Sequence, residues 1–172
     1  MRRWLSPKLT KANYQKMIID KVVFYPAPKA SAQVSEQALQ DIQDYIDTQL
    51  RTVVLAKVPQ ATDPGPGVLR LKVAITAAET TASGLKPWQI IPVALVVQGA
   101  EAATGQRKRN VVLSIESLLT DSVTNGVLSE AVRNIKGVTL PDSKAQLTLD
   151  IVKSRIDDWA AATAQMVQQR SE

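Results

Sequence analysis

The chain has 172 residues, 45% of them apolar, and a formal net charge of +5 at pH 7. That length and apolar content suit one folded domain with a real core, not a disordered chain. Cys and His are both absent, which excludes disulfides, thiol nucleophiles, thiolate metal sites and the commonest general base and metal ligand.

The charge is unevenly placed. Residues 1–29 carry Arg2, Arg3, Lys8, Lys11, Lys16, Lys21 and Lys29 against Asp20 alone, a local +6, so the remainder sits near −1. Such a segment is either a solvated, solubilising lead or an arm that rests on anionic headgroups, at about 1 kcal/mol per cation near the surface. Arg2, Arg3, Lys8 and Lys11 would form that membrane-surface arm. The opening residues Met1 to Pro7 lack an apolar stretch, so no signal peptide is expected there.

In chain order, residues 1–13 are expected to be an irregular basic lead ended by Tyr14, and residues 14–169 a single α+β domain. Gln15 to Tyr25 predicts one strand, with Met17, Ile19 and Lys21 on one face and Ile18, Val22 and Phe24 on the other. Apolar residues on both faces predict a central position in a sheet, and Pro26 and Pro28 end it. Ser35 is a candidate N-cap, with Val34 and Leu39 as a hydrophobic staple. Leu39, Ile42, Ile46 and Leu50 then recur every three or four residues, which predicts an amphipathic helix of about five turns. Its polar face, with Asp41, Asp44, Asp47 and Arg51, reads as a solvated face rather than an acid or metal site.

Asp63-Pro-Gly-Pro-Gly67 is strong loop punctuation. No Lys-Ser/Thr follows it and a strand pattern does, so it is not a phosphate-cradling loop. Leu69, Leu71, Val73 and Ile75 alternate with Arg70 and Lys72, predicting a strand over Val68–Thr76 with one solvated face. Trp88 to Ala100 carries no charge. It is too short and too interrupted, by Pro92 and Gly99, for a membrane span, which needs about 20 apolar residues. Three readings stand: a buried helix beginning near Pro92, a hairpin arm, or an exposed apolar patch. In the third, Trp88, Ile90, Ile91, Val93, Leu95 and Val96 form a candidate interaction surface. Arg107-Lys108-Arg109 has no interleaved aromatics, so no nucleic-acid partner is expected.

Val111, Leu113, Ile115 and Leu119 alternate again, and Asn125-Gly126 suits a turn needing positive φ. A hairpin leaving through Val127 to Ile135 is the expected centre of the fold. Asp142 or Ser143 is the candidate cap of a last helix running to about Gln169. Its apolar stripe is Leu149, Val152, Ile156, Trp159, Ala160, Thr163 and Val167, with Asp157 and Asp158 facing solvent. Residues 170–172 are expected to fray.

The run Glu116 to Arg133, ESLLTDSVTNGVLSEAVR, resembles the hairpin of a bacterial lipoprotein family known as domain of unknown function 3313 (DUF3313). Asn13 to Phe24 looks like that family's tyrosine-led first strand, Asp63 to Ile75 like its Pro-Gly-led second strand, and Ile156-Asp-Asp-Trp159-Ala160 like its closing helix. The family has no known activity, so the resemblance carries over no functional residues. It implies a precursor with a signal ending in a lipid-modified cysteine, an anchor absent from this chain. It also implies a periplasmic location, at the outer membrane.

The expected fold is α+β, a mainly antiparallel four-stranded sheet with two long amphipathic helices on one face, in the order β-α-β-(α)-β-β-α. The first two strands, separated by the long helix, are candidates for parallel neighbours. The expected function is non-enzymatic: an envelope domain acting in interaction or assembly, with an envelope protein or itself, as a homodimer, for partner. The alternative is a small-molecule or peptide-binding module using Trp88–Val97. No catalytic residue, metal or cofactor is expected.

Overall fold

Ser35 starts the first long helix: its Oγ accepts from the Ala38 N–H at 3.1 Å. Val34, just before the cap, and Leu39 are both buried, as a staple requires. Helix α1 spans Glu36–Leu55 and buries Leu39, Ile42, Ile46, Leu50 and Val54 along one stripe. The computed structural model describes residues 2–25, 27–28, 34–77, 97–99, 109–140 and 145–169.

Among the described residues seven strands form one mixed sheet. They are β1 (Arg2–Leu5), β2 (Lys16–Ile19), β3 (Val23–Phe24), β4 (Val68–Ala77), β5 (Val97–Gly99), β6 (Arg109–Asp121) and β7 (Val127–Leu140). The path runs β1-β7-β6-β4-β2, with β3 also on β4 and β5 also on β6. The α+β class holds. The four-stranded expectation is corrected by three short strands, each too brief to leave a periodic signal. β2 and β3 run parallel to β4, as expected for a crossover through α1; the ladders of β1, β5, β6 and β7 are antiparallel.

Residues 1–13 depart from the expected irregular lead. Arg2–Leu5 pairs with β7, from Arg2 opposite Val132 to Leu5 opposite Ser129. The Ser6 N–H continues the attachment to the Leu128 carbonyl at 2.8 Å.

The single strand expected over Gln15–Tyr25 is broken in two. Lys16 pairs with Val68, but Val23 pairs with Ala74, so the parallel register slips by one residue across Asp20–Val22. That bulge brings Met17, Ile19, Val22 and Phe24 together on the core side, where strict alternation separates them. The central position is also corrected: β2 ends the sheet path. Its outer edge is covered by a loop, where the Met17 N–H donates to the Pro59 carbonyl at 3.0 Å and the Ala61 N–H to the Met17 carbonyl at 2.9 Å. Covering an edge in this way blunts unwanted strand pairing.

Gly67 leads into β4 with φ +71°, and a Cβ there would sit 3.3 Å from the Asn13 carbonyl oxygen. Leu69, Leu71, Val73 and Ile75 from β4 and Leu113, Ile115 and Leu119 from β6 line the core. Helix α2 spans Leu149–Gln169. The expected caps, Asp142 and Ser143, lie outside the described residues; the helix begins only at Leu149, because the preceding chain first inserts Leu147 into the core. Val152, Ile156, Trp159 and Ala160 join the same core cluster as the α1 stripe, so both helices cover one face of the sheet. Among the described residues no helix is long and apolar enough to cross a membrane.

Candidate functional site

Among the described residues, three places bring polar chemistry and apolar surface together. The first is the junction of α1 with β2 and β3. Asp47, expected on a solvated helix face, keeps only 17% of its side-chain exposure. Its Oδ1 accepts from the Val22 N–H at 2.9 Å and its Oδ2 from Arg51 Nε at 2.7 Å. Arg51 also reaches the Ile19 carbonyl at 3.1 Å, and the Gln43 amide reaches the Val22 carbonyl at 2.8 Å. Burial pushes the Asp47 carboxyl up, but the bonds from Arg51 and Val22 outweigh it and hold its pKa below the usual value. These groups satisfy the backbone freed by the bulge, so the polar face of α1 there is structural.

The second is the sheet face turned away from the helices. One row across it reads Trp4, Glu130, Leu118, Lys72, and the next Val132, Glu116, Ala74, Val23. Trp4 is 50% exposed, Val23 47% and Val132 37%. A shallow groove of about 590 Å³ runs between the charged side chains Lys21, Lys72, Glu116 and Glu130. Glu116 accepts from the Thr76 hydroxyl at 3.1 Å. The local reason for this surface is plain alternation: residues between the core positions of β4, β6 and β7 must point here.

The third lies on the core side, between β1 and β7 of the sheet and the two helices. A cavity of about 50 Å³ is bounded by Arg3, Leu5, Ser129, Ala131, Arg133 and Ser117 from the sheet and by Leu50, Val54, Trp159 and Thr163 from the helices. Trp159 is 6% exposed, and its carbonyl accepts from the Arg133 guanidinium at 3.5 Å.

Trp88, Ile90, Ile91, Val93, Leu95 and Val96 lie outside the described residues. The end of that apolar run, Val97–Gly99, is a strand paired with β6, so a helix does not continue through it. Arg2, Arg3, Lys8 and Lys11 do not make a free arm. Arg2 and Arg3 belong to β1, and the loop with Lys8 and Lys11 is pinned where Asn13 Nδ2 donates to the Lys8 carbonyl at 2.9 Å. Sequence reasoning missed Trp4, Glu130 and Lys72 as one surface, because the register that aligns them spans four strands. Among the described residues no group of three or more Asp or Glu side chains is placed to hold a metal ion.

Fold and surfaces define a class: an α+β domain with one sheet face covered by two helices and, among the described residues, the other face open. Residues 1–163 match the family described as Protein of unknown function (DUF3313), and the chain belongs to that family. It is 33% identical over 158 residues to the uncharacterized lipoprotein YdcL of Escherichia coli, covering 92% of this chain and 71% of that protein. Among solved structures, a minor lipoprotein from Acinetobacter baumannii aligns over 90% of each chain at 12% identity, with a TM-score of 0.45. The hypothetical protein CT253 from Chlamydia trachomatis aligns over 90% of this chain and 98% of that one at 9% identity, with a TM-score of 0.46.

Proposed function

We propose that this chain is the folded domain of a bacterial lipoprotein, held in the periplasm at the outer membrane by a lipid anchor outside this sequence. It acts by association, not by catalysis. The lipoprotein relative supports the tether. The observation that carries the association is the open sheet face, an apolar strip of Trp4, Leu118, Val132 and Val23 bordered by charges of both signs. Exposed strips of this kind mark interaction surfaces.

The occupant is a second copy of the chain. Leu118 stands between Lys72 on β4 and Glu130 on β7. A two-fold axis along β6 packs Leu118 on its copy and sets each Lys72 against the partner's Glu130, which is the self-complementarity an isologous contact needs. Two sheets meeting face to face in this way give a sandwich of ordinary spacing.

The test is cell fractionation of the native gene product with metabolic lipid labelling, followed by sedimentation equilibrium of the domain. Label in the outer-membrane fraction and a concentration-dependent dimer are expected. A soluble, unlabelled product would overturn the tether. A species that stays monomeric at high concentration would overturn self-association and leave the face to a different envelope protein.

A further inference from the structure

The cavity beside β1 has features that packing alone does not require. Three small residues open it: Ala131 sits between Arg3 and Ser117 in one sheet row, and Ser129 sits between Leu5 and Leu119 in the next. Behind them the floor is apolar, built by Leu71, Val73 and Ile115, with Leu50, Val54 and Trp159 as the roof. Ser129 is nine-tenths buried, at 9% exposure, and its hydroxyl has no hydrogen-bond partner among the described residues. Buried hydroxyls are normally paired, and a bound group that accepts from Ser129 would explain the exception. Ser117, beside it, makes only a long bond of 3.5 Å to the Ala131 carbonyl.

The charges at the rim give the occupant its sign. Arg3 faces Ala131 across the β1–β7 ladder, and Arg133 is two residues further along β7 on the same face, a diagonal that long side chains span. No carboxylate is among the described residues lining the cavity. Two guanidiniums flanking one opening suit a carboxylate, which takes paired N–H donors from either side. The enclosed space of about 50 Å³ admits roughly two water-sized groups, so only the end of a short chain enters.

We propose that this cavity is a binding site for a short-chain carboxylate. The carboxylate lies between Arg3 and Arg133 and accepts from the Ser129 hydroxyl, and the alkyl end lies under Trp159 against Val73 and Ile115. The site is on the covered face of the sheet and is independent of the open face proposed for self-association.

The experiment is an NMR titration of the intact chain with butyrate, acetate and 1-butanol in turn, following the amides of Ser129, Ala131 and Trp159. Butyrate is expected to give saturable shifts at these three positions. Acetate, which lacks the tail, and butanol, which lacks the charge, are each expected to bind at least about tenfold more weakly. Arg3→Gln, on the exposed rim, is expected to weaken butyrate about tenfold. Ser129→Val fills the cavity and removes the hydroxyl; it is expected to abolish binding while the chain stays folded, with its melting temperature unchanged or raised. Equal binding of butyrate and butanol would overturn the role of the arginines, and equal binding of butyrate and acetate the role of the cavity. Absence of saturable shifts with butyrate, or butyrate binding unchanged in Ser129→Val, would overturn the proposal altogether.

Discussion

The hydroxyl of Tyr14 donates to Oδ2 of Asp121 at 2.9 Å, joining positions 107 residues apart. The same carboxylate organises the β6–β7 turn: its Oδ1 accepts from the Thr124 N–H at 2.8 Å, the Val123 N–H at 2.9 Å and the Thr124 hydroxyl at 3.1 Å. Next to it Ser122 both accepts from the Gly65 N–H and donates to the Gly65 carbonyl. The Asp-Ser pair therefore ties three loops at one end of the sheet, and Tyr14 is the tie to the N-terminal segment.

Replacing that carboxylate should loosen the whole end. Asp121→Ala is expected to cost about 1–2 kcal/mol and Tyr14→Phe about 1 kcal/mol, since both sites are partly open to water. Urea denaturation of the two single variants and the double variant checks this. The effects should be less than additive, because the two residues share one bond; full additivity would show that the bond contributes nothing.

The same pair predicts a pH dependence at both ends of the scale. The Thr124 backbone bond, with those from Tyr14 and Val123, holds the Asp121 carboxyl below its usual pKa against an opposing push from burial. Burial, then the bond to Asp121, pushes the Tyr14 hydroxyl above its usual pKa. The Asp121 contribution is fully present above the unfolded carboxylate pKa of about 4 and is lost as pH falls through the lower folded value. The Tyr14 contribution is present below about pH 10 and is lost as pH rises through the higher folded value. Stability profiles of wild type and Asp121→Asn should diverge above pH 4 and converge in acid. Profiles that stay parallel through the acid range would remove the linkage.

At the junction of α1 with β2 and β3, Asp47→Ala is expected to cost about 2–3 kcal/mol, because it leaves the fully buried Val22 without its N–H partner and frees Arg51. Asp47→Asn keeps an oxygen for Val22 and should cost less. Equal losses for the two would place the stabilisation in the Arg51 pair, and amide exchange at Val22 separates the cases directly.

Gly67→Ala is expected to cost at least about 1 kcal/mol, since an L-residue is strained at φ +71° and its Cβ meets the Asn13 carbonyl. Circular dichroism during thermal unfolding reads the loss; an unchanged midpoint would mean that this loop adjusts freely.

On the open face, Lys72→Glu should abolish the dimer and Glu130→Lys should do the same, while the double swap restores it. Sedimentation equilibrium reads the three variants. A double variant that stays monomeric would remove the paired geometry.

The local elements were legible because each is written in neighbouring residues. The stripes of α1 and α2, the alternation of β4 and β6, the Ser35 cap and Asn125 at φ 58° all follow from what one residue does to the next few. Trp159 was placed in the core by its helical spacing alone. The sequence could not place Asp47 and Arg51, which look like any charged helix face until a bulge more than twenty residues away presents the bare Val22 N–H.

Neighbouring residues alone specify the amphipathic surfaces and the turns that separate them. Long-range pairing sets β2 at an edge, makes Arg2–Leu5 a strand, and stands Leu118 between Lys72 and Glu130. The difference is one of range. Periodicity reports that a face is buried or exposed, but strand order and register are settled by contacts between residues far apart in the chain. A slip of one residue, as at Asp20–Val22, is enough to change which side chains share a face.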